Sequence, residues 1–200
     1  MGDQTQSNLL RMAIQKVDGI EQGSVMPFID GLESGVMRPL FLKDGSLLLG
    51  QTGRGWQAKG GHVASLQRIV WDGKTVAPAI TQMLATPTGF ALEFTQPISG
   101  KITVDSLAAL LSIESWVYRD APDYGSDELG LQKDAIKSVT LSDDRKTLLI
   151  DLVSLEQAKV HPQQTARVYH AQLKTNSLFN KNVPEKMDAY YTLYQFPKKN

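Results

Sequence analysis

Apolar and polar residues alternate with a period of two along most of this chain, and runs spaced for helices are scarce, so the pattern predicts a mostly β fold. Between Val25 and Trp71, short apolar runs are punctuated by Asp30-Gly31, Ser34-Gly35, Asp44-Gly45 and Gly60-Gly61. This predicts strands near 36–42, 46–50 and 65–71, joined as an antiparallel meander. Lys43-Asp44-Gly45-Ser46 is a strong reversal signal, because glycine accepts the positive φ of a tight turn. The glycine-rich stretch 51–62, carrying Arg54 and Trp56, reads as a long loop between two of these strands. The polar opening MGDQTQSNLL is given no element, and a leader or an upstream domain ahead of it stays open.

Composition shifts after Trp71, where Asp72-Gly73-Lys74 makes a turn and a Pro- and Thr-containing stretch runs to Gly89. Residues 1–75 and 76–200 therefore read as two domains. In the second, Phe90, Leu92 and Phe94 alternate with Ala91, Glu93 and Thr95 as a half-buried strand does. A short helix is expected at 104–111, where an Asp precedes an Ala/Leu-rich run. Segments 136–141 and 147–152, joined by Ser142-Asp143-Asp144-Arg145-Lys146, form a hairpin, and strands come next at 167–173 and 189–196. Six or seven short strands of this kind suit a two-sheet sandwich of immunoglobulin or fibronectin type. The expectation is an antiparallel meander packed on such a sandwich.

Charge and composition then remove whole classes of function. Lysine and arginine total 21 and so do aspartate and glutamate, so no net field draws the chain to nucleic acid or to an anionic membrane. The absence of cysteine rules out disulfides, thiolate-held zinc, iron–sulfur clusters and a thiol nucleophile. No apolar run approaches the roughly 20 residues of a membrane-spanning helix, and the N-terminus lacks the basic flank and apolar core of a signal peptide.

The run PFIDGLESGVMRPLFLKDGSLLLGQTGRGWQ followed by LQRIVWDGK resembles the last blade of secreted bacterial six-bladed propellers of the sorbosone or glucose dehydrogenase-like class. The later segments TPTGFALEFTQPI, YRDAPDYGSDE, VTLSDDRKTLLIDL and AYYTLYQFP resemble the region C-terminal to the propeller in some members. The resemblance spans about residues 23 to 197. It implies a periplasmic or extracellular setting and a carbohydrate connection. It also implies pyrroloquinoline quinone or haem c only within a larger parent, because this chain has room for one blade and no CxxCH motif. No cofactor is expected in this chain, and its partners would be a carbohydrate, a second copy or an upstream propeller domain.

Local chemistry leaves several candidates. Asp120, Asp123, Asp127 and Glu128 cluster between Tyr118 and Glu128. Paired carboxylates of this kind suit glycosidase-type acid/base work, with Asp120, Asp123 and Glu128 as the catalytic candidates, yet their spacing does not match a calcium loop, and a solvated acidic loop is the bland alternative. Ser126 lacks the G-x-S-x-G elbow, and QTGRGWQAKGG lacks the phosphate-loop pattern. Of His62, His161 and His170, only His161 and His170 could face one another, across a short hairpin, and surface or structural roles are the bland alternative to a metal site. Alternation over 111–118 puts Leu111, Ile113 and Val117 on one face and Glu114, Trp116 and Tyr118 on the other. Trp116, Tyr118 and Tyr124 are thus candidates for stacking against sugar rings, unless another layer covers them. Arg54 and Trp56 pair a guanidinium with an indole for carboxylate or sugar recognition, or they fill a domain seam. The reading is a non-catalytic, carbohydrate-related binding module, with a small carbohydrate-active hydrolase or lyase as the alternative.

Overall fold

The computed structural model describes residues 1–55, 57–99, 101–119, 122, 125–155, 166–175, 178–179 and 183–198. The protein is mostly β, with antiparallel sheets and, among the described residues, one short helix, as the alternation predicts. It divides into two compact units, residues 1–12 with 27–76, and residues 13–26 with 77–200.

In the first unit, β4 (Val36–Phe41), β5 (Leu47–Thr52) and β6 (Ala64–Ile69) form a three-stranded meander in chain order. Its turn at Asp44-Gly45 forms as expected: Gly45 takes φ 81° and the Asp44 carboxylate accepts the Ser46 N–H at 3.0 Å. Leu47 and Leu49 turn one face inward against Leu9, Leu32 and Val36. The opposite face leaves Leu40 and Leu66 exposed, and Phe41 at the end of β4 is exposed as well. Beside this sheet lie β1 (Gly2–Asp3), the first half of β2 (Asn8–Val17) and the last three residues of β3 (Ile20–Ile29).

The second unit stacks two antiparallel sheets on one core. One has the order β11 (Ile136–Leu141), β12 (Thr147–Leu152), β8 (Gly89–Phe94) and β7 (Ile80–Thr86). The other runs β3, β14 (Lys186–Leu193), β13 (Arg167–Lys174), β9 (Leu111–Val117) and β10 (Leu129–Lys133). Phe90 sits at the centre, fully buried, with ring centroids 4.8 Å from Tyr169, 5.5 Å from Tyr191 and 5.7 Å from Phe196. Helix α1 (Val104–Leu110) matches the predicted span and starts at Thr103, whose hydroxyl accepts the Ser106 N–H at 3.3 Å, satisfying one of the free donors of a helix N-terminus. Arg145 closes the turn between β11 and β12. Its guanidinium donates to the carbonyls of Ile98, Ser99 and Ile102 at 2.8, 2.6 and 2.9 Å, a use of the planar fork that an ammonium group cannot reproduce.

Two parts of this fold depart from the sequence expectation. The Pro- and Thr-containing stretch before Gly89 holds a strand, β7, where a plain connection is expected; a register shift between Ile80 and Gln82 breaks its period of two. The opening segment, given no element, is a long hairpin. Asp18 and Gly19 both take positive φ, 46° and 88°, the mark of a two-residue turn of type I′ between β2 and β3.

That hairpin is sewn into the second unit largely through side-chain amides. Gln15 donates to the Ala85 carbonyl at 3.0 Å and accepts from the Ala85 N–H at 2.8 Å, as a neighbouring strand would. The same Gln15 oxygen accepts from the Tyr191 hydroxyl at 2.6 Å. The Ser24 hydroxyl accepts the Met83 N–H at 3.0 Å. Gln22 donates to the Gln195 carbonyl at 2.9 Å and accepts from the N–H groups of Tyr194 and Gln195 at 3.0 and 3.1 Å. Strand β7 is an edge strand, and the Gln15 and Ser24 contacts satisfy backbone groups it would otherwise present to any passing chain.

Candidate functional site

Alternation along β9 sends Leu111 and Ile113 into the core and Trp116 to the outer face of the larger sheet. Register then decides what Trp116 meets. It pairs with Val168 on β13, and one step along, His170 is level with both Glu114 on β9 and Tyr190 on β14. Across β10, Leu129 pairs with Val117, which sets Glu128 level with Tyr118. The outer face therefore gathers Tyr118, Trp116, His170 and Tyr190 from three strands that are far apart in sequence.

The rings are ordered relative to one another. Trp116 stands edge-on to Tyr118 (6.3 Å between centroids, 85°), to His170 (6.3 Å, 74°) and to Tyr190 (6.4 Å, 73°). Edge-to-face pairs of this kind are favoured because the positive ring edge meets the negative ring face. His170 and Tyr190 stack at 4.3 Å with 5° between planes. Trp116 is only 5% exposed, whereas Tyr118 and Tyr190 are 39% and 38% exposed, so the tryptophan is the floor and the tyrosines are the accessible parts. The buried Trp116 Nε1–H has no hydrogen-bond partner among the described residues.

Polar groups fix the stack. His170 Nε2 lies 2.8 Å from Asp188 Oδ1, and Gln172 Nε2 donates to the same oxygen at 2.9 Å. The hydrogen bond from His170, helped by that from Gln172, holds the Asp188 carboxyl below its usual range even though burial works against it. Burial, and then the negative charges of Asp188 and Glu128, push the Tyr190 hydroxyl above its usual value, so at neutral pH it remains a hydrogen-bond donor.

The Asp188 shift has a consequence for stability. A carboxyl with a depressed folded-state value contributes stability above its unfolded value, about 3.9, and that contribution disappears as pH falls through the lower folded value. Thermal midpoints measured from pH 6 downwards are expected to fall below about pH 4, and Asp188→Asn should flatten part of that fall. A fall of equal size in the variant would show that Asp188 carries none of it.

The other sequence candidates occupy separate places. Arg54 lies exposed in the first unit's loop, its backbone N–H donating to the Thr52 hydroxyl at 3.1 Å. That loop borders an open depression of about 520 Å³ lined by Gly53, Gly55, Gln57, Ala58, His62 and Val63. Glu128 is exposed. Ser126 serves the loop backbone, accepting from the Arg119 N–H at 2.9 Å and donating to the Asp127 carbonyl at 3.0 Å. Trp56, Asp120, Asp123, Tyr124 and His161 lie outside the described residues. Among the described residues, no three His, Asp or Glu side chains converge as a metal site, and no helix is long and apolar enough to cross a membrane.

No protein-family model, curated protein or solved structure matches the chain. The functional reading therefore rests on the geometry of the site.

Sequence reasoning missed Tyr190, His170 and Asp188 as parts of this site. Alternation within 189–196 does separate outward Tyr190 from inward Tyr191. Nothing local to that strand says that it lies beside β13 with Tyr190 level with His170.

Proposed function

We infer that the second unit is a non-catalytic carbohydrate-binding module and that Tyr118 and Tyr190 form its contact surface. The observation that carries this reading is the pair of half-exposed tyrosines standing edge-on to a buried tryptophan on an outward sheet face. Sugar rings present C–H groups that pack on aromatic faces, while their hydroxyls donate to carboxylates and accept from amide or phenolic donors nearby. Tyr190, Asp188, Glu114 and Gln172 supply such groups on the same face. Fixing His170 and Tyr190 as a stack lowers the entropy lost when a ligand orders the surface. The indole N–H of Trp116 lies beneath this surface rather than on it, and leaving it without an acceptor costs about 1–3 kcal/mol.

A finer fold reading supports the same view. The order β7-β8-β12-β11 in one sheet and β10-β9-β13-β14 within the other, which continues through β3, supports an immunoglobulin- or fibronectin-type sandwich, in which strands A-B-E-D face C-F-G. Such sandwiches commonly serve as binding modules, although a fold alone does not assign a function. In the first unit, the ordered meander β4-β5-β6 and the exposed Leu40, Phe41 and Leu66 favour a propeller-like blade completed by an upstream propeller domain or a second copy. A monomeric chain in solution whose residues 24–71 are rapidly cut by protease would count against any such partner. The resemblance in the first unit also suggests a periplasmic or extracellular parent that oxidises sugars.

Affinity electrophoresis and calorimetry against a panel of soluble polysaccharides test the binding reading. Tyr118→Ala and Tyr190→Ala should each weaken binding about tenfold, because one aromatic contact is worth about 1–1.5 kcal/mol. Glycan turnover that disappears on changing Glu128 would favour the hydrolase or lyase alternative instead. Unchanged affinity in both tyrosine variants would remove the outer face as the site.

A further inference from the structure

An Asp-Gly bond closes on itself to a succinimide when the glycine nitrogen faces the aspartate carboxyl, when no other donor holds that carboxyl, and when the glycine has room to turn. The chain has four such dipeptides, beginning at Asp18, Asp30, Asp44 and Asp72. At Asp30 all three conditions coincide. The Gly31 N–H donates to Asp30 Oδ1 at 2.8 Å, and among the described residues that carboxyl has no other partner. Both residues are exposed, and Gly31, at φ 74°, has open space where a side chain would stand. When the amide gives up its proton, the lone pair left on nitrogen lies along the former N–H direction, towards the carboxyl. A rotation about Cβ–Cγ then turns the carboxyl face to it.

The other three dipeptides are restrained. The Gly45 N–H donates to the Leu42 carbonyl at 3.0 Å, and the Asp44 carboxylate is taken by the Ser46 hydroxyl and N–H and by Arg68. Asp72 accepts from the Lys74 N–H at 2.9 Å and from the N–H and hydroxyl of Thr75 at 2.7 and 2.5 Å. The Ser46 hydroxyl at Asp44 and the Thr75 hydroxyl at Asp72, with the backbone donors beside them, hold both carboxyls below their usual range. The neutral acid, the form that can lose its oxygen as water, is therefore scarcer at both. Asp18 is locked in the two-residue turn between β2 and β3, with Lys198 Nζ 3.2 Å from its Oδ2.

We propose that Asp30 is a self-modification site, which rearranges spontaneously to isoaspartate ahead of the other three. The Gly31 nitrogen bonds to Asp30 Cγ, its proton and the carboxyl hydroxyl leave as water, and a five-membered succinimide closes. Water then adds back at either ring carbonyl. Opening the Cγ–N bond restores aspartate, whereas opening the bond from nitrogen to the main-chain carbonyl routes the backbone through Cγ, one methylene longer, with no net gain or loss of atoms. The added methylene falls just before Leu32, whose side chain is buried with Leu9, Val36, Leu47 and Leu49 and whose N–H donates to the Ser7 carbonyl at 3.1 Å. Rearrangement at this bond loosens the core of the first unit, whatever the second unit binds.

The full chain is incubated for weeks in mildly acidic buffer well below its thermal midpoint, with a parallel sample in guanidinium chloride, and each Asp-Gly peptide is scored for isoaspartate by electron-transfer fragmentation. In the folded chain Asp30 should convert faster than Asp18 and at least about fivefold faster than Asp44 and Asp72, a factor equivalent to about 1 kcal/mol of barrier for the hydrogen bond each of those must first break. In denaturant the four should convert at similar rates. Asp30→Glu, which would need a six-membered ring, should remove most of the isoaspartate and keep its thermal midpoint through the incubation, while the midpoint of the natural protein falls. Conversion at Asp30 no faster than at Asp44 in the folded chain would overturn the assignment, and so would the same ranking of the four sites in denaturant. A midpoint that falls equally in the natural protein and in Asp30→Glu would overturn the link to the Leu32 core.

Discussion

Replacing Gln15 with Ala will lower the free energy of unfolding by about 2–4 kcal/mol. One side chain here satisfies both backbone groups of Ala85 and the hydroxyl of Tyr191, and Ala85 and Tyr191 are themselves buried. Truncation leaves three polar groups without partners in a place water reaches poorly, and such orphans cost more than an average hydrogen bond contributes. Urea denaturation read by tryptophan fluorescence measures the change. A second substitution sharpens it: Tyr191→Phe removes one orphan, so in the Gln15→Ala background it should cost about 1 kcal/mol less than in the natural protein. Additive effects of the two substitutions would mean that the hydroxyl–amide bond contributes little. A loss under about 0.5 kcal/mol for Gln15→Ala would mean that the hairpin does not hold the edge of β7.

Phe90→Ala should be the most damaging single core change, at about 3–5 kcal/mol. Phe90 is fully buried on the central strand β8 and touches Tyr169 and Tyr191 from the facing sheet and Phe196 beyond β14, so its loss opens a void between both layers. Because large rings surround it, the site cannot collapse without moving whole strands, which places the cost at the upper part of that range. A drop in thermal midpoint of roughly 10 °C or more is expected. Leu149→Ala, on the outward side of the neighbouring strand, is the control and should change stability by less than about 0.5 kcal/mol. Similar midpoints for the two variants would remove Phe90 from the centre of the core.

Much of the strand pattern was legible in the residues themselves. The hairpin 136–141 and 147–152, the helix after Thr103 and the inward set Phe90, Leu92 and Phe94 all arise from local spacing and turn chemistry. The opening hairpin was not legible for a physical reason. Beside buried Val17 and Met26, inward positions in the second unit are taken by Gln15, Gln22 and Ser24, which hydrogen-bond to backbone rather than pack as hydrocarbon, so the apolar alternation that marks a strand is interrupted. The Asp18-Gly19 turn was the one surviving signal, because both positions need positive φ.

The site divides in the same way. The outward direction of Trp116 and Tyr118 is set by alternation, since Leu111 and Ile113 must face the core. Their neighbours are not, because the alignment of β9, β13 and β14 is a long-range property that no local period encodes. Trp116 also differs from the simple picture of an exposed stacking platform: its neighbours cover it, and the accessible rings are Tyr118 and Tyr190.

The bond from Gln22 to Gln195 joins groups 173 positions apart. During synthesis on the ribosome, the β2–β3 hairpin emerges well before β14; Gln15 and Ser24 can meet β7 once residue 86 is out, but Gln22 stays unpaired until β14 and the segment after it have been translated. Contacts closed over such separations are slow to form and leave sticky edges open meanwhile. The nascent chain is therefore most in need of a chaperone over this interval, and a stalled or prematurely released product should be cleared or aggregate rather than persist as a half-built module.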